Sequence, residues 1–197
     1  MTIFSRFRTL FSLMTGLMVM LFSFNAFAQS GSSGADLTLV FQGDEYQHRW
    51  SKRGQNEFTP HGQEDFAQWR NMLTINVREN VTTADQLATV ANKTLGFYQD
   101  NGYVLRADAK PSVANRAAEY FMSGVFVQPA FVEAAFSRLL LRDGVGLVVV
   151  YSQRFYGENA QEDMLAWVEE NGMQTEDDLM SWQALPSLKA LSNLPQS

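Results

Sequence analysis

The chain has 197 residues, a formal net charge of −6 and no cysteine. The lack of cysteine excludes disulfides, thiolate metal ligands and a cysteine nucleophile. The acidic balance argues against binding of nucleic acid or anionic lipid through charge alone. We therefore expect one globular domain that is stabilised by its hydrophobic core.

The N-terminal residues have the pattern of a secretory signal peptide. Arg6 and Arg8 precede an apolar run over 10–24. Ala26 and Ala28 then supply the small residues that a signal peptidase accepts in its narrow pocket. We therefore expect cleavage after Ala28 and a periplasmic location, with an uncleaved membrane anchor as the alternative.

The domain boundaries follow from composition. We assign 1–28 as the signal peptide, 29–35 as a flexible linker, 36–192 as a single α+β domain and 193–197 as a frayed tail. Cleavage removes two arginines and no acidic residue, which changes the net charge from −6 to −8. We expect no stable membrane insertion after cleavage.

Alternation of apolar and polar residues predicts strands in the first part of the chain. In one of them, Tyr46, His48 and Trp50 alternate with polar residues and are predicted to share a face. The spacing of Phe66 and Trp69 predicts about two helical turns. The predicted strands cover 37–41, 46–52, 57–60 and 72–77, with a turn over 53–56 and a short helix over 63–69.

The clearest helix is predicted over 84–100. Thr83 is its N-cap, and Gln86 completes a capping box. Gly102 is expected to end the helix in the left-handed conformation. The apolar stripe of this helix consists of Leu87, Val90, Ala91, Leu95 and Tyr98.

Four further strands are predicted over 103–107, 118–127, 131–142 and 145–156. Asp143-Gly144 favours a two-residue hairpin turn between the last two strands, and that turn fixes their register. The resulting pairs are Leu140 with Leu147, Phe136 with Tyr151, Phe131 with Tyr156, and Glu133 with Arg154.

Two helices are predicted at the end of the chain. Asn159 is expected to cap the first, with Glu162 as its capping-box partner, and Gly172 to end it. Thr175 then caps a short helix that Pro186 ends. Strands joined by short turns, with helices that each carry one apolar stripe, predict an α+β fold in which helices cover an antiparallel sheet.

This order of elements resembles the PsbP-like fold. The resemblance is carried by the early strands, the helix with Thr83-x-x-Gln86, the run that closes on Asp143-Gly144, and the final helix. Photosystem extrinsic proteins, a nuclear GTPase-binding factor and bacterial exported proteins share that fold, so the resemblance implies a PsbP-like sandwich. Such folds host unrelated functions, so the resemblance implies no catalytic residue.

A short segment resembles uncharacterised exported proteobacterial proteins. It consists of Glu57-Phe58-Thr59-Pro60-His61-Gly62 followed by Trp69-x-x-Met72-x-Thr74. This second resemblance implies export and names no activity.

Four residues form the candidate binding site, namely Trp50, Arg53, His61 and Trp69. Aromatic anchors with nearby cations suit a protein or ligand partner, and the alternative is that the tryptophans are core residues. We assign no catalytic residue, metal site or cofactor, because the chain has no cysteine and no Gly-x-Ser-x-Gly motif, and its two histidines lack the spacing of metal ligands.

The sequence therefore favours a non-enzymatic module that binds an envelope protein or a small ligand through a sheet edge or the 53–69 segment. Nucleic acid is excluded as a partner by the negative charge. A hydrolase with a site around His61, Glu64 and Asp65 is one alternative. A structural or stress-related envelope subunit is the other.

The mature protein is predicted to begin at Gln29, because Ala26 and Ala28 match signal-peptidase specificity. N-terminal sequencing of the protein recovered from an envelope fraction measures this directly. Recovery of chains that still begin at Met1 from membranes would contradict the prediction.

Overall fold

The structure, a computed structural model, describes residues 37–114 and 117–197. The predicted signal peptide and linker lie outside the described residues. None of the described helices is long and apolar enough to cross a membrane. The elements in chain order are β1 (Thr38–Phe41), β2 (Asp44–Lys52), β3 (Gln55–Pro60), β4 (Asn71–Arg78), α1 (Ala84–Asn101), β5 (Tyr103–Lys110), β6 (Glu119–Val127), β7 (Val132–Arg142), β8 (Val145–Phe155), α2 (Ala160–Ser181) and α3 (Leu188–Ser192).

The eight described strands form one sheet in the order β1-β2-β3-β4-β8-β7-β6-β5. Every neighbouring pair runs antiparallel. Helix α1 carries the chain from β4 to the far edge, and three successive hairpins then return it to β4. The predicted α+β fold, an antiparallel sheet covered by helices, is confirmed.

The β7–β8 hairpin has the register that its turn predicts. Asp143 and Gly144 both have positive φ, 52° and 78°, as a two-residue hairpin turn of this type requires. Glu133 pairs with Arg154, and their side chains form an ion pair at 2.8 Å. The other confirmed pairs are Leu140 with Leu147 and Phe136 with Tyr151, and the rings of Phe131 and Tyr156 meet just beyond the strands.

The two faces of the sheet carry separate hydrophobic cores. Successive side chains of β7 point to opposite faces, as in any strand, and α1 and α2 cover different faces. The core on the α2 side includes Phe136, Leu140, Met164, Leu179 and Leu191. The core on the α1 side includes Leu87, Ala91, Tyr98, Ala135 and Leu139.

Helix α1 begins with the predicted capping box. The Thr83 hydroxyl accepts from the backbone N–H of Gln86, and the Gln86 side chain accepts from the backbone N–H of Thr83. The prediction of a left-handed Gly102 is wrong, because its φ of −158° is extended. A Cβ atom there would lie 2.5 Å from the carbonyl oxygen of Val125, so glycine is required for close approach to β6.

Helix α2 is longer than the sequence predicts. It begins after Asn159, as expected, but the Asn159 side chain makes no capping hydrogen bond in the described structure, so the capping box with Glu162 is wrong. The helix continues through Gly172 and Thr175, so the predicted break there is wrong too. Thr175 is fully buried and accepts a hydrogen bond from Gln42 at 3.2 Å. This tertiary contact replaces the predicted capping role.

The C-terminal residues pack against the domain. Leu194 belongs to the core on the α2 side. The backbone N–H of Ser197 donates to the carbonyl of Ser51 at 2.8 Å. An apolar side chain and a backbone hydrogen bond thus hold residues 193–197, predicted as a frayed tail, on the domain.

We expect Leu87→Ala to lower the free energy of unfolding by about 2–5 kcal/mol, because Leu87 is 1% exposed and its removal leaves a cavity. Leu95→Ala is the matched control, since Leu95 belongs to the same stripe but is only partly buried. Its loss should be clearly smaller. Urea unfolding measures both, and equal midpoints for the two variants would contradict the burial of the stripe.

Candidate functional site

The structure does not bring the four predicted binding residues together. Arg53 lies in the tight turn that precedes β3, whereas His61 follows the end of that strand. Six residues of strand separate them, which is about 20 Å. Trp69 lies near the same end as His61, because β4 runs antiparallel to β3 and starts just after it. His61 and Trp69 therefore share one region, and Arg53 lies elsewhere.

Trp50 lies in β2, after a β-bulge that changes which face it occupies. His48 pairs with Phe58 and Trp50 pairs with Glu57, so Arg49 is an extra residue on β2. Trp50 therefore shares a sheet face with Glu57, while His48 shares the opposite face with Phe58. The prediction that His48 and Trp50 share a face is wrong for this reason.

Residues 61–70, called the 61–70 loop below, connect β3 to β4 by turns. The predicted helix over 63–69 is wrong. The Oε1 atom of Gln63 accepts from the backbone N–H groups of Arg70 at 2.6 Å and Asn71 at 2.8 Å. These bonds fold the loop back on itself, and such side-chain to backbone bonds compete with the helix.

Arg49, the extra residue of the bulge, holds the start of the loop. Its guanidinium donates to Thr59 Oγ1 at 2.9 Å, to the Pro60 carbonyl at 3.1 Å and to Glu64 Oε1 at 3.0 Å. Glu64 Oε1 also accepts from the backbone N–H of Gly62 at 2.9 Å. The Gly62 bond and, more weakly, the Arg49 charge lower the pKa of Glu64. Its carboxylate is therefore ionised at neutral pH and ties the loop to β2.

Trp69 anchors the end of the loop. The residue is 4% exposed, and its ring centroid lies 3.9 Å from Cζ of Arg154. The same Cζ atom lies 3.7 Å from the ring centroid of Phe131, and Arg154 Nε donates to Glu133 at 2.8 Å. The Tyr156 hydroxyl donates to the Trp69 carbonyl at 2.7 Å. These contacts hold Trp69 in place at the end of the loop, and its ring is not presented to solvent.

A buried carboxyl group lies on the same sheet face as Arg154. Glu57 is 1% exposed and accepts a hydrogen bond from Gln55 Nε2 at 2.6 Å. Burial raises the pKa of Glu57 to about 7, although the Gln55 bond and the Arg154 charge act in the opposite direction. The group therefore titrates near neutral pH. Carboxyl groups with such shifts occur in functional sites and in structural networks alike.

His61 and Glu64, the centre of the hydrolase alternative, are both exposed. Glu64 Oε1 is already engaged by Arg49 and the Gly62 backbone. A solvated imidazole beside an engaged carboxylate lacks the desolvated setting that tunes an acid–base pair. Within 37–114 and 117–197, no group of three His, Cys, Asp or Glu side chains is placed to hold a metal ion.

The sequence gives no direct signal for the residues that hold the loop in which His61 and Trp69 lie. The sequence pattern places Arg49 in a regular strand and does not indicate the bulge that brings its side chain to the loop. Gln63 was assigned to a helix. The pairing of Arg154 with Glu133 gave a signal, because the hairpin register was predicted, but the contact with Trp69 is between distant elements.

Comparisons with known proteins give fold-level likeness only. No family model matches the sequence, and no curated protein matches it. The solved structure of PA94, a protein of unknown function from Pseudomonas aeruginosa, has a TM-score of 0.45 and 8% identity, covering 78% of this chain and 100% of that chain. A mutant of the protein Mog1 has a TM-score of 0.45 and 10% identity, covering 79% and 98%. The Ran-binding protein Mog1p from Saccharomyces cerevisiae has a TM-score of 0.41 and 9% identity, covering 75% and 94%.

The resemblance drawn from the sequence is corrected by these findings. Neither the PsbP-like resemblance nor the one to exported proteobacterial proteins is supported by a family match, so the recognition was wrong. Two of the solved structures that align are named Mog1. At these identities the likeness concerns the fold and assigns no residue a role.

Glu57→Gln changes the free energy of unfolding, and we expect this change to be more favourable at about pH 8 than at about pH 5 by about 1–3 kcal/mol. In the unfolded chain a glutamate has an ordinary pKa of about 4.3, whereas the folded value is about 7. The folded state therefore binds the proton more tightly. This stabilisation is complete below the unfolded pKa and is lost as the pH rises through 7. A glutamine side chain does not ionise, so the variant does not lose stability at this position as the pH rises.

Urea midpoints of wild type and Glu57→Gln across this pH range provide the measurement. Glu45→Gln, at an exposed position on β2, is the control for a change of charge alone. If Glu57→Gln showed the same pH dependence as wild type, the buried carboxyl would not be the group that titrates.

Proposed function

We propose that the chain is an exported periplasmic module that binds an envelope protein through the 61–70 loop and catalyses no reaction. The observation that carries this proposal is how the loop is held. Arg49 holds the start of the loop, Gln63 joins its start to its end, and Arg154 packs against Trp69 at its end. A loop already fixed in one conformation loses little entropy on binding, which favours recognition.

The exposed side chains of the loop supply the contact surface. His61 and Gln68 are exposed, whereas Trp69 is buried. Exposed polar side chains on a firmly supported loop suit recognition, since loops carry function when a rigid scaffold positions them. Export is proposed from the N-terminal pattern that ends at Ala28.

The double variant His61→Ala, Gln68→Ala tests the contact surface. We expect it to reduce capture of an envelope protein by at least about tenfold, because a few central residues dominate most interfaces. Its melting temperature should match wild type, since both side chains are exposed. Lys93→Ala with Gln99→Ala, at exposed positions of α1, is the control and should retain capture. Retained capture by the loop variant would overturn the proposal.

Trp69→Ala provides the contrast between support and contact. Because Trp69 is buried against Arg154, its loss should lower the free energy of unfolding by about 3–5 kcal/mol. A Trp69→Ala protein with wild-type stability would show that the ring does not anchor the loop.

A further inference from the structure

Strand β5 is an edge strand of the described sheet. It has eight residues, is the last strand in the order and hydrogen-bonds to β6 on one side. Most of its side chains are exposed, including Tyr103 at 55% and Leu105 at 45%. The opposite edge, β1, has only four residues. An exposed edge of this length is a template for pairing with another strand.

Charged residues on β5 restrict which strand can pair with it. Arg106 and Asp108 lie on the α2 side and contact each other at 2.7 Å, with side chains more than half exposed. Arg106 also contacts Glu176 of α2 at 3.1 Å. Lys110 is held by α2, because its Nζ donates to the Met180 carbonyl at 3.0 Å. Arg106 and Asp108 have partners within the chain as well, but both side chains are more than half exposed, so they are the charges that an incoming strand meets.

We propose that two copies of this chain pair through β5 in antiparallel orientation about a two-fold axis at Ala107. In this register Arg106 of each copy lies opposite Asp108 of the other, so two opposite-charge pairs form on one face. Leu105 lies opposite Ala109 of the second copy. Directly opposed unlike charges stabilise antiparallel strands, and like charges destabilise them.

The spacing of the charges selects this register and a second copy. An arginine and an aspartate two residues apart are complementary to themselves when the strand is rotated about the residue between them. An axis at Ala109 would instead oppose Asp108 to Lys110, whose ammonium is engaged by α2. The charges restrict the edge to strands that carry complementary charges at the same spacing.

Sedimentation velocity of purified protein at concentrations up to about 1 mM tests the proposal, since a small interface still associates in that range. Wild type is expected to form a dimer. Arg106→Asp and Asp108→Arg each place like charges opposite one another twice, which should raise the dimer dissociation constant by about 10–100-fold. Arg78→Asp, an exposed charge reversal at the end of β4, should leave the constant unchanged.

Mixing the two single variants gives the decisive result. Every opposed pair between Arg106→Asp and Asp108→Arg is then a carboxylate facing a guanidinium, so the mixture should dimerise although each variant alone does not. A monomeric wild type, single variants that dimerise normally, or a mixture that stays monomeric would each overturn the proposal. The His61→Ala, Gln68→Ala protein should dimerise normally, so this result and that of the loop proposal are separable.

Discussion

Arg138 places a positive charge inside the domain, and the position of α2 depends on how that charge is satisfied. The residue is 3% exposed and donates to Glu119 at 2.9 Å, and to the carbonyls of Leu179 at 3.0 Å and Trp182 at 2.9 Å. Leaving a buried cation without partners costs several kcal/mol. The described helix α2 has no basic residue in its last turn, so Arg138 also supplies the cation that its C-terminal dipole favours.

The hydrogen bonds from Arg138 explain why α2 continues through Gly172 and Thr175, where the sequence predicts a break. A break near Gly172 would release the last turns of the helix, whose carbonyls would then be lost to Arg138. Gln42, in the turn between β1 and β2, donates to Thr175 and to Asp178, which holds the same turns on the sheet. Tertiary contacts of this kind outweigh the modest cost of a glycine in a helix. The C-terminal segment then follows in place, with Leu194 in the core.

The features predictable from sequence are those encoded within a few residues. The capping box of Thr83 and the register set by Asp143-Gly144 are local, and both are confirmed. The order of the strands, the bulge at Arg49 and the turns of the 61–70 loop depend on partners far along the chain. For the candidate site, residue type alone pointed to His61 and Trp69. It could not show that Trp69 is buried by Arg154, because that contact joins elements more than eighty residues apart.

The topology makes an exposed β5 unavoidable. Helix α1 takes the chain across one face of the sheet to its far side, and the hairpins that follow bring β8 back to pair with β4. All described strands are then used, and β5 remains at the edge. Glycine at position 124 fixes the crossing, because a Cβ atom there would lie 2.8 Å from the Tyr98 ring of α1. The same close packing that seats α1 on the sheet therefore sets the place of β5, and Arg106 and Asp108 lie exposed on the α2 side of that edge.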